Sequence, residues 1–178
     1  MWYSWSGVKK PGEQPQASSP EQANKANTKS KALHSFSALL DPTFTPDGVS
    51  LHSIYPPARE TIALWKQYLK NVHPLVMIFF DWEIEVIIHK AAHNPTGLTR
   101  EEQALVLAIY FIATLSLSEE ECLDMLHDKR SHLLDKFQKA VEDSLLIAEL
   151  AVTSDRLVLQ AFILYLVNYN QLPLADHN

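Results

Sequence analysis

Four residues in the middle of the chain have the types and spacing for acid–base or metal chemistry: Asp81, Glu85, His89 and His93 recur every fourth position. On one helix they would line up as two carboxylates and two imidazoles, and the histidines have the i, i+4 spacing of a metal-binding pair. The same helix, however, carries Ile84, Ile87, Ile88 and Ala91 as its apolar face. A step of about 100° per residue places His89 and His93 nearly opposite that face, toward solvent. A zinc-protease helix would also need a glutamate where Lys90 stands, and no third ligand follows at a matching distance. A metal-dependent hydrolase using His89 and His93 therefore ranks last among the functional readings.

The other reactive side chains have structural explanations. Cys122 stands near the start of a short predicted helix, where the helix dipole lowers a thiol pKa, but Glu119, Glu120 and Glu121 beside it act in the opposite sense. It reads as a small buried apolar residue. The three glutamates are placed as first-turn helix carboxylates rather than as a magnesium site. Trp65 and Tyr68 have the flat faces to stack on a base, yet they share an apolar face with Ile62 and Leu69 and read as core. No glycine-rich phosphate loop, nucleophile elbow or histidine-centred triad signature is present. No catalytic, cofactor-binding or metal-ligating residue is assigned, no cofactor is expected, and the chain is expected not to be an enzyme.

The elements that carry these residues are predicted to be helices. Pro56-Pro57 presets a helix start, and Ile62, Trp65, Tyr68, Leu69 and Val72 fall on one face of a helix to about Asn71. Pro74 interrupts, and the short apolar run Leu75 to Phe80 is expected to be buried. Asp81 caps a second helix, which Asn94-Pro95-Thr96-Gly97 stops after His93. Thr99 with Glu102, and Ser118 with Glu121, form capping boxes that start helices running to about Leu115 and Met125. Leu133, Leu134, Phe137, Ala140, Val141, Leu145 and Ala148 keep a 3.6-residue period, and Thr153 or Ser154 caps a last helix to about Tyr169.

Residues 11–32, rich in Pro, Gln, Ser and Asn without a large apolar side chain, are expected to be disordered, and Leu33 to Tyr55 to form an extended strap. The predicted fold class is all-α: a multi-helix orthogonal bundle, incomplete, preceded by a disordered tail, with a boundary between residues 1–50 and 51–178. The incompleteness follows from the last helix. Leu157 to Val167 is apolar nearly all round, and nothing downstream is long enough to cover its far side. At about 1.5–3 kcal/mol per large side chain, three or four uncovered residues forfeit a sum comparable to a domain's net stability. The chain is expected to be a fragment or obligately paired.

Composition narrows the class further. A single cysteine excludes an internal disulfide framework or a six-cysteine cluster. The longest apolar run, Leu157 to Val167, falls short of the roughly 20 residues that cross a bilayer. Residues 51–178 hold ten basic against seventeen acidic groups, a balance of −7 that repels phosphate backbones. The tail's basic pairs, Lys9-Lys10 and Lys29 with Lys31, read as solvated linker rather than an import patch.

The order of segments then carries a resemblance. Tyr55-Pro56-Pro57-Ala58-Arg59-Glu60 leads to Leu64-Trp65, Tyr68-Leu69 and Val72-His73-Pro74-Leu75-Val76. Next come Gln103 to Ser118, a small-residue helix ending in a serine-rich turn, then Glu120-Glu121-Cys122, and a late Leu159-Gln160-Ala161-Phe162 helix. In this order, over about residues 54–169, the chain resembles the N-terminal part of the fungal-specific transcription factor domain, the regulatory middle region of fungal zinc-cluster transcription factors. The resemblance implies an all-helical regulatory domain, usually placed after a six-cysteine zinc cluster that reads DNA, and working in the nucleus without catalytic residues. The chain departs from that pattern in lacking the six cysteines and the family's later helices, and in having His73 where an acidic or amide residue is common.

The expected function is transcription regulation as the regulatory, not DNA-reading, region of such a factor. The alternative is a stand-alone helical protein-interaction module, acting as a dominant-negative or dimerisation partner. Partners or self-association are expected through the apolar helix 155–169, DNA only indirectly through a zinc cluster this chain lacks, and no membrane.

Overall fold

Three of the described helices begin where the side chain of the residue before them accepts their first free N–H groups. The computed structural model describes residues 54–167. Six α-helices follow in order: α1 Ala58–Asn71, α2 Asp81–His93, α3 Arg100–Leu115, α4 Glu119–Leu126, α5 Arg130–Ile147 and α6 Arg156–Val167, with a 3-10 turn Pro95–Gly97 between α2 and α3. No strand occurs among the described residues, so the all-α, multi-helix expectation holds. The expected tail and strap at 1–50, the basic pairs within it, and the end of the last helix at Tyr169 lie outside the described residues.

Both capping boxes form. Thr99 Oγ1 accepts the Glu102 N–H at 3.2 Å while Glu102 Oε2 accepts the Thr99 N–H at 2.8 Å. Ser118 and Glu121 repeat the arrangement at 3.2 and 2.8 Å. Two other helix starts differ from expectation. Asp81 is the first residue of α2 rather than its cap, a position held by Phe80. At α6 the capping oxygen is Asp155 Oδ1, which accepts the N–H groups of Leu157 at 2.8 Å and Val158 at 3.3 Å. Thr153, a predicted cap, instead accepts the N–H of Asp155. A carboxylate is the stronger acceptor for the positive end of a helix, which explains why it displaces the hydroxyls.

The sequence of α3 explains its place. Every residue from Ala104 to Thr114 is buried, and α3 packs mainly against α5 and α6, then against α1, with a lesser contact to α2. A helix apolar on all sides is stable only when surrounded. Tyr110 shows how its polar atoms are managed: the hydroxyl donates to Thr61 Oγ1 at 3.1 Å, and Thr61 in turn donates to the carbonyl of Pro56 at 3.2 Å. Burial pushes the Tyr110 pKa up to about 12, only partly offset by the Thr61 hydrogen bond, so the hydroxyl stays a donor. Replacing Thr61 with valine keeps the shape and orphans both partners. It is expected to cost about 1–3 kcal/mol, read from urea unfolding.

The end of α5 offers a test of the opposite sign. Glu149 adopts the left-handed conformation at φ 54°, while Glu149 N–H bonds Leu146 O and Leu150 N–H bonds Leu145 O, both at 3.0 Å. This is a Schellman ending, whose left-handed residue is most often glycine. Glu149→Gly relieves the Cβ crowding and is expected to stabilise the fold by up to about 1 kcal/mol, seen as a higher Tm.

A further expectation fails between α1 and α2. The apolar run Leu75 to Phe80 is not buried as a unit: Phe79 enters the core and Val76 and Ile78 are half-buried, but Leu75, Met77 and Phe80 are exposed. The segment is an irregular connection in which successive side chains alternate between core and solvent, so its continuous hydropathy hides a one-sided arrangement.

Candidate interaction face

The residues with chemical potential do not converge. Asp81, Glu85, His89 and His93 all lie on exposed positions of α2. Ile84, Ile88 and Ala91 fill the buried side and Ile87 is half-buried, as the helical step requires. His89 Nε2 stands 3.9 Å from Glu85 Oε1, and His93 Nδ1 lies 2.8 Å from the carbonyl of His89. Among the described residues no three histidine, cysteine or acidic side chains come together as a metal-ligand set.

Cys122 is buried. Its thiol pKa is raised, first of all by burial; Arg130 opposes this, and Glu119 and Glu121 add to it. A thiol so placed is a poor nucleophile. Trp65 and Tyr68 are buried and stacked, with ring centroids 5.5 Å apart and planes 7° apart. Tyr68 stacks in turn on Phe79 at 5.6 Å. Their faces are spent on each other and on the core.

What remains is apolar surface that no reading of charged motifs finds. On α6, Val158, Ala161, Leu164 and Tyr165 are buried, while Leu159 and Ile163 are 42% and 43% exposed. The two are one helical turn apart and form a stripe on the side turned away from α3. Other exposed apolar side chains lie between positions 75 and 86, namely Leu75, Met77 (77% exposed), Phe80, Trp82 (68%) and Val86 (69%), with the rings of Phe80 and Trp82 stacked 6.2 Å apart. Single exposed apolar residues are ordinary, whereas neighbouring ones, as on α6 and at Phe80 and Trp82, make a candidate interaction surface.

The two areas are tied along a seam. Gln160 Nε2 donates to Ile78 O at 2.8 Å, and the Arg156 guanidinium forms a two-pronged pair with Glu83. Arg156, Gln160 and Ile163 occupy one side of α6 within about 60° of each other, so the seam passes beside the α6 stripe. Arg156 holds the Glu83 carboxyl below its usual pKa. Tyr165, on the buried side, donates to Glu142 Oε1 at 2.6 Å and locks α6 to α5. The stripe is thus presented by a helix held in place from both sides. No described helix is long and apolar enough to cross a membrane.

Comparison with known proteins gives this surface a context. No protein-family profile and no solved structure matches the chain. The aurofusarin cluster transcription factor aurR2 of Gibberella zeae is 33% identical over 124 residues, 70% of this chain and 18% of that protein. The transcriptional regulator AacuB of Aspergillus aculeatus is 32% identical over 120 residues, 67% of this chain and 16% of that protein. The C6 finger domain transcription factor adaR of Aspergillus niger is 31% identical over 127 residues, 66% of this chain and 16% of that protein. The chain therefore spans less than a fifth of the length of these curated relatives. With its one cysteine, the shared stretch is not a six-cysteine cluster. The chain belongs to the fungal zinc-cluster transcription factors, as a helical stretch resembling their regulatory region.

Proposed function

We propose that this chain regulates transcription as a regulatory, not DNA-reading, part of a fungal zinc-cluster factor, acting in the nucleus through protein contacts. In this reading residues 1–50 serve as linker and strap, and residues 51–178 as the N-terminal part of the regulatory domain. Contacts run through the exposed stripe of α6, to other parts of such a factor, to a second copy or to another protein. DNA is reached only through a zinc cluster supplied elsewhere.

The observation that carries the reading is the exposure of Leu159 and Ile163 on a helix whose other large side chains are mostly core, in a chain whose relatives are transcription factors. The negative balance of residues 51–178 supports a role that does not grip DNA directly, and relatives named as transcription factors support a non-enzymatic one. The test is to fuse the full chain to an unrelated DNA-binding domain in a fungal host and measure a reporter carrying that domain's sites. The fusion is expected to change reporter transcription relative to the DNA-binding domain alone, and the unfused chain to leave it unchanged. A fusion that accumulates in the nucleus and leaves the reporter unchanged would contradict the reading.

A further inference from the structure

The outward faces of α1 and α2 meet in a groove of about 490 Å³ whose lining is unlike the rest of the molecule. Ala58, Ile62 and Ala63 of α1 form a half-buried apolar floor. Arg59 and Lys66 of α1 and His89 and His93 of α2 form an exposed rim. Arg59 and Lys66 are seven positions apart, which along a helix is about 10 Å. Among the described residues neither has an ion-pair partner, and the one carboxylate paired with a rim residue is Glu85, 3.9 Å from His89. In residues 51–178, which carry −7 overall, two cations without an ion-pair partner among the described residues, beside two imidazoles and the single carboxylate of Glu85, are a local reversal of sign.

The groove continues into apolar surface. Trp82, Val86, His89 and His93 fall within about 60° of one another around α2, so one stripe runs from the exposed Trp82 and Val86 to the two rim histidines. We propose that this groove and stripe bind an acidic segment of a partner protein, one whose carboxylates meet Arg59 and Lys66 while its apolar side chains lie on Ile62, Trp82 and Val86. Charge complementarity selects the occupant. Screening limits each charge to about 8 Å at physiological salt, so the local cluster, not the net charge, decides what settles here. A short acidic peptide fits within that range. A nucleic-acid backbone repeats its charge over a long stretch, whereas the rim offers only two cations and carries Glu85 3.9 Å from His89. This binding surface is separate from the α6 stripe and stands or falls independently of it.

The experiment uses the full chain and two fluorescein-labelled synthetic peptides: one alternating Asp and Glu with Leu and Phe, the other identical except that Asn and Gln replace the acids. Fluorescence anisotropy at low salt is expected to show saturable binding of the acidic peptide and at least about tenfold weaker binding of its neutral twin. Arg59→Glu combined with Lys66→Glu is expected to weaken the acidic peptide by about tenfold or more, and Arg59→Gln with Lys66→Gln by a smaller factor. Trp82→Ser with Val86→Ser is expected to weaken both peptides. All of these positions are exposed, so circular dichroism should be unchanged, and the glutamine pair keeps the test valid if charge reversal disturbs the fold. Absence of binding, equal binding of the two peptides, affinity unchanged by both charge substitutions, or preferential binding of a labelled DNA duplex would each overturn the proposal.

Discussion

Truncating Phe137 to alanine is expected to remove about 3–5 kcal/mol of stability, a large part of what a domain of this size has. Phe137 is buried and sits on α5 against Tyr110 of α3, with ring centroids 5.7 Å apart. Tyr110 is in turn the residue that joins α3 to α1 through Thr61. Removing the ring leaves a cavity between α5 and α3, whose walls are helices that cannot collapse inward without breaking other contacts. Phe137→Leu, which fills most of the same space, is expected to cost less than half as much. Urea unfolding of the three proteins followed by circular dichroism reads the difference.

The second large effect is expected at Arg130. Its Nε donates to Leu117 O at 2.7 Å and one terminal nitrogen to Leu115 O at 2.8 Å, so a single guanidinium satisfies carbonyls at and just beyond the end of α3. That end carries partial negative charge, and the cation stands where it favours the helix dipole. Arg130→Ala leaves the Leu115 and Leu117 carbonyls without this donor and is expected to cost about 1.5–3 kcal/mol. Arg130→Lys should recover only part of the loss, because an ammonium cannot reach two carbonyls with the fixed spacing of a planar fork. Arg130 also acts to lower the Cys122 thiol pKa. Cys122 is fully buried, so its alkylation requires opening of the fold, and the destabilised Arg130→Ala protein is expected to be alkylated faster than wild type.

Much of this architecture is written in local signals. The capping boxes at Thr99 and Ser118 are decided within four residues, and the side-chain types alone identify them. The burial of Trp65 and Tyr68 follows from their spacing with Ile62, Leu69 and Val72 on one face, although Ile62 and Leu69 themselves end half-buried. The outward placement of His89 and His93 follows from counting 100° steps away from Ile84 and Ile88.

The features that escape are those that depend on distance in the chain or on irregular backbone. The Arg156–Glu83 pair spans 73 positions, and Arg130 reaches back 13 and 15 positions to its carbonyls, so neither leaves a periodic trace. The exposure of Leu75, Met77 and Phe80 is invisible to hydropathy, because a run of apolar residues looks the same whether all or half of them turn inward. Glu149 ends α5 in a left-handed conformation without the glycine that usually announces such an ending. The interaction surfaces are legible only in outline. The apolar character of α6 predicts surplus hydrophobic surface, but which residues stay outside depends on how α3 and α5 cover it.

The α6 stripe is where the account is most exposed to test. Leu159→Glu with Ile163→Lys replaces the stripe by an i, i+4 pair of the favourable orientation, which supports the helix by about 0.2–0.5 kcal/mol while removing its apolar face. The decisive measurement is reporter transcription from the DNA-binding-domain fusion of this double variant beside the wild-type fusion, at equal nuclear abundance and equal helicity. A reporter returned to the level of the DNA-binding domain alone is the predicted result. A double variant that regulates as strongly as the wild-type chain would contradict a role for this helix in regulation.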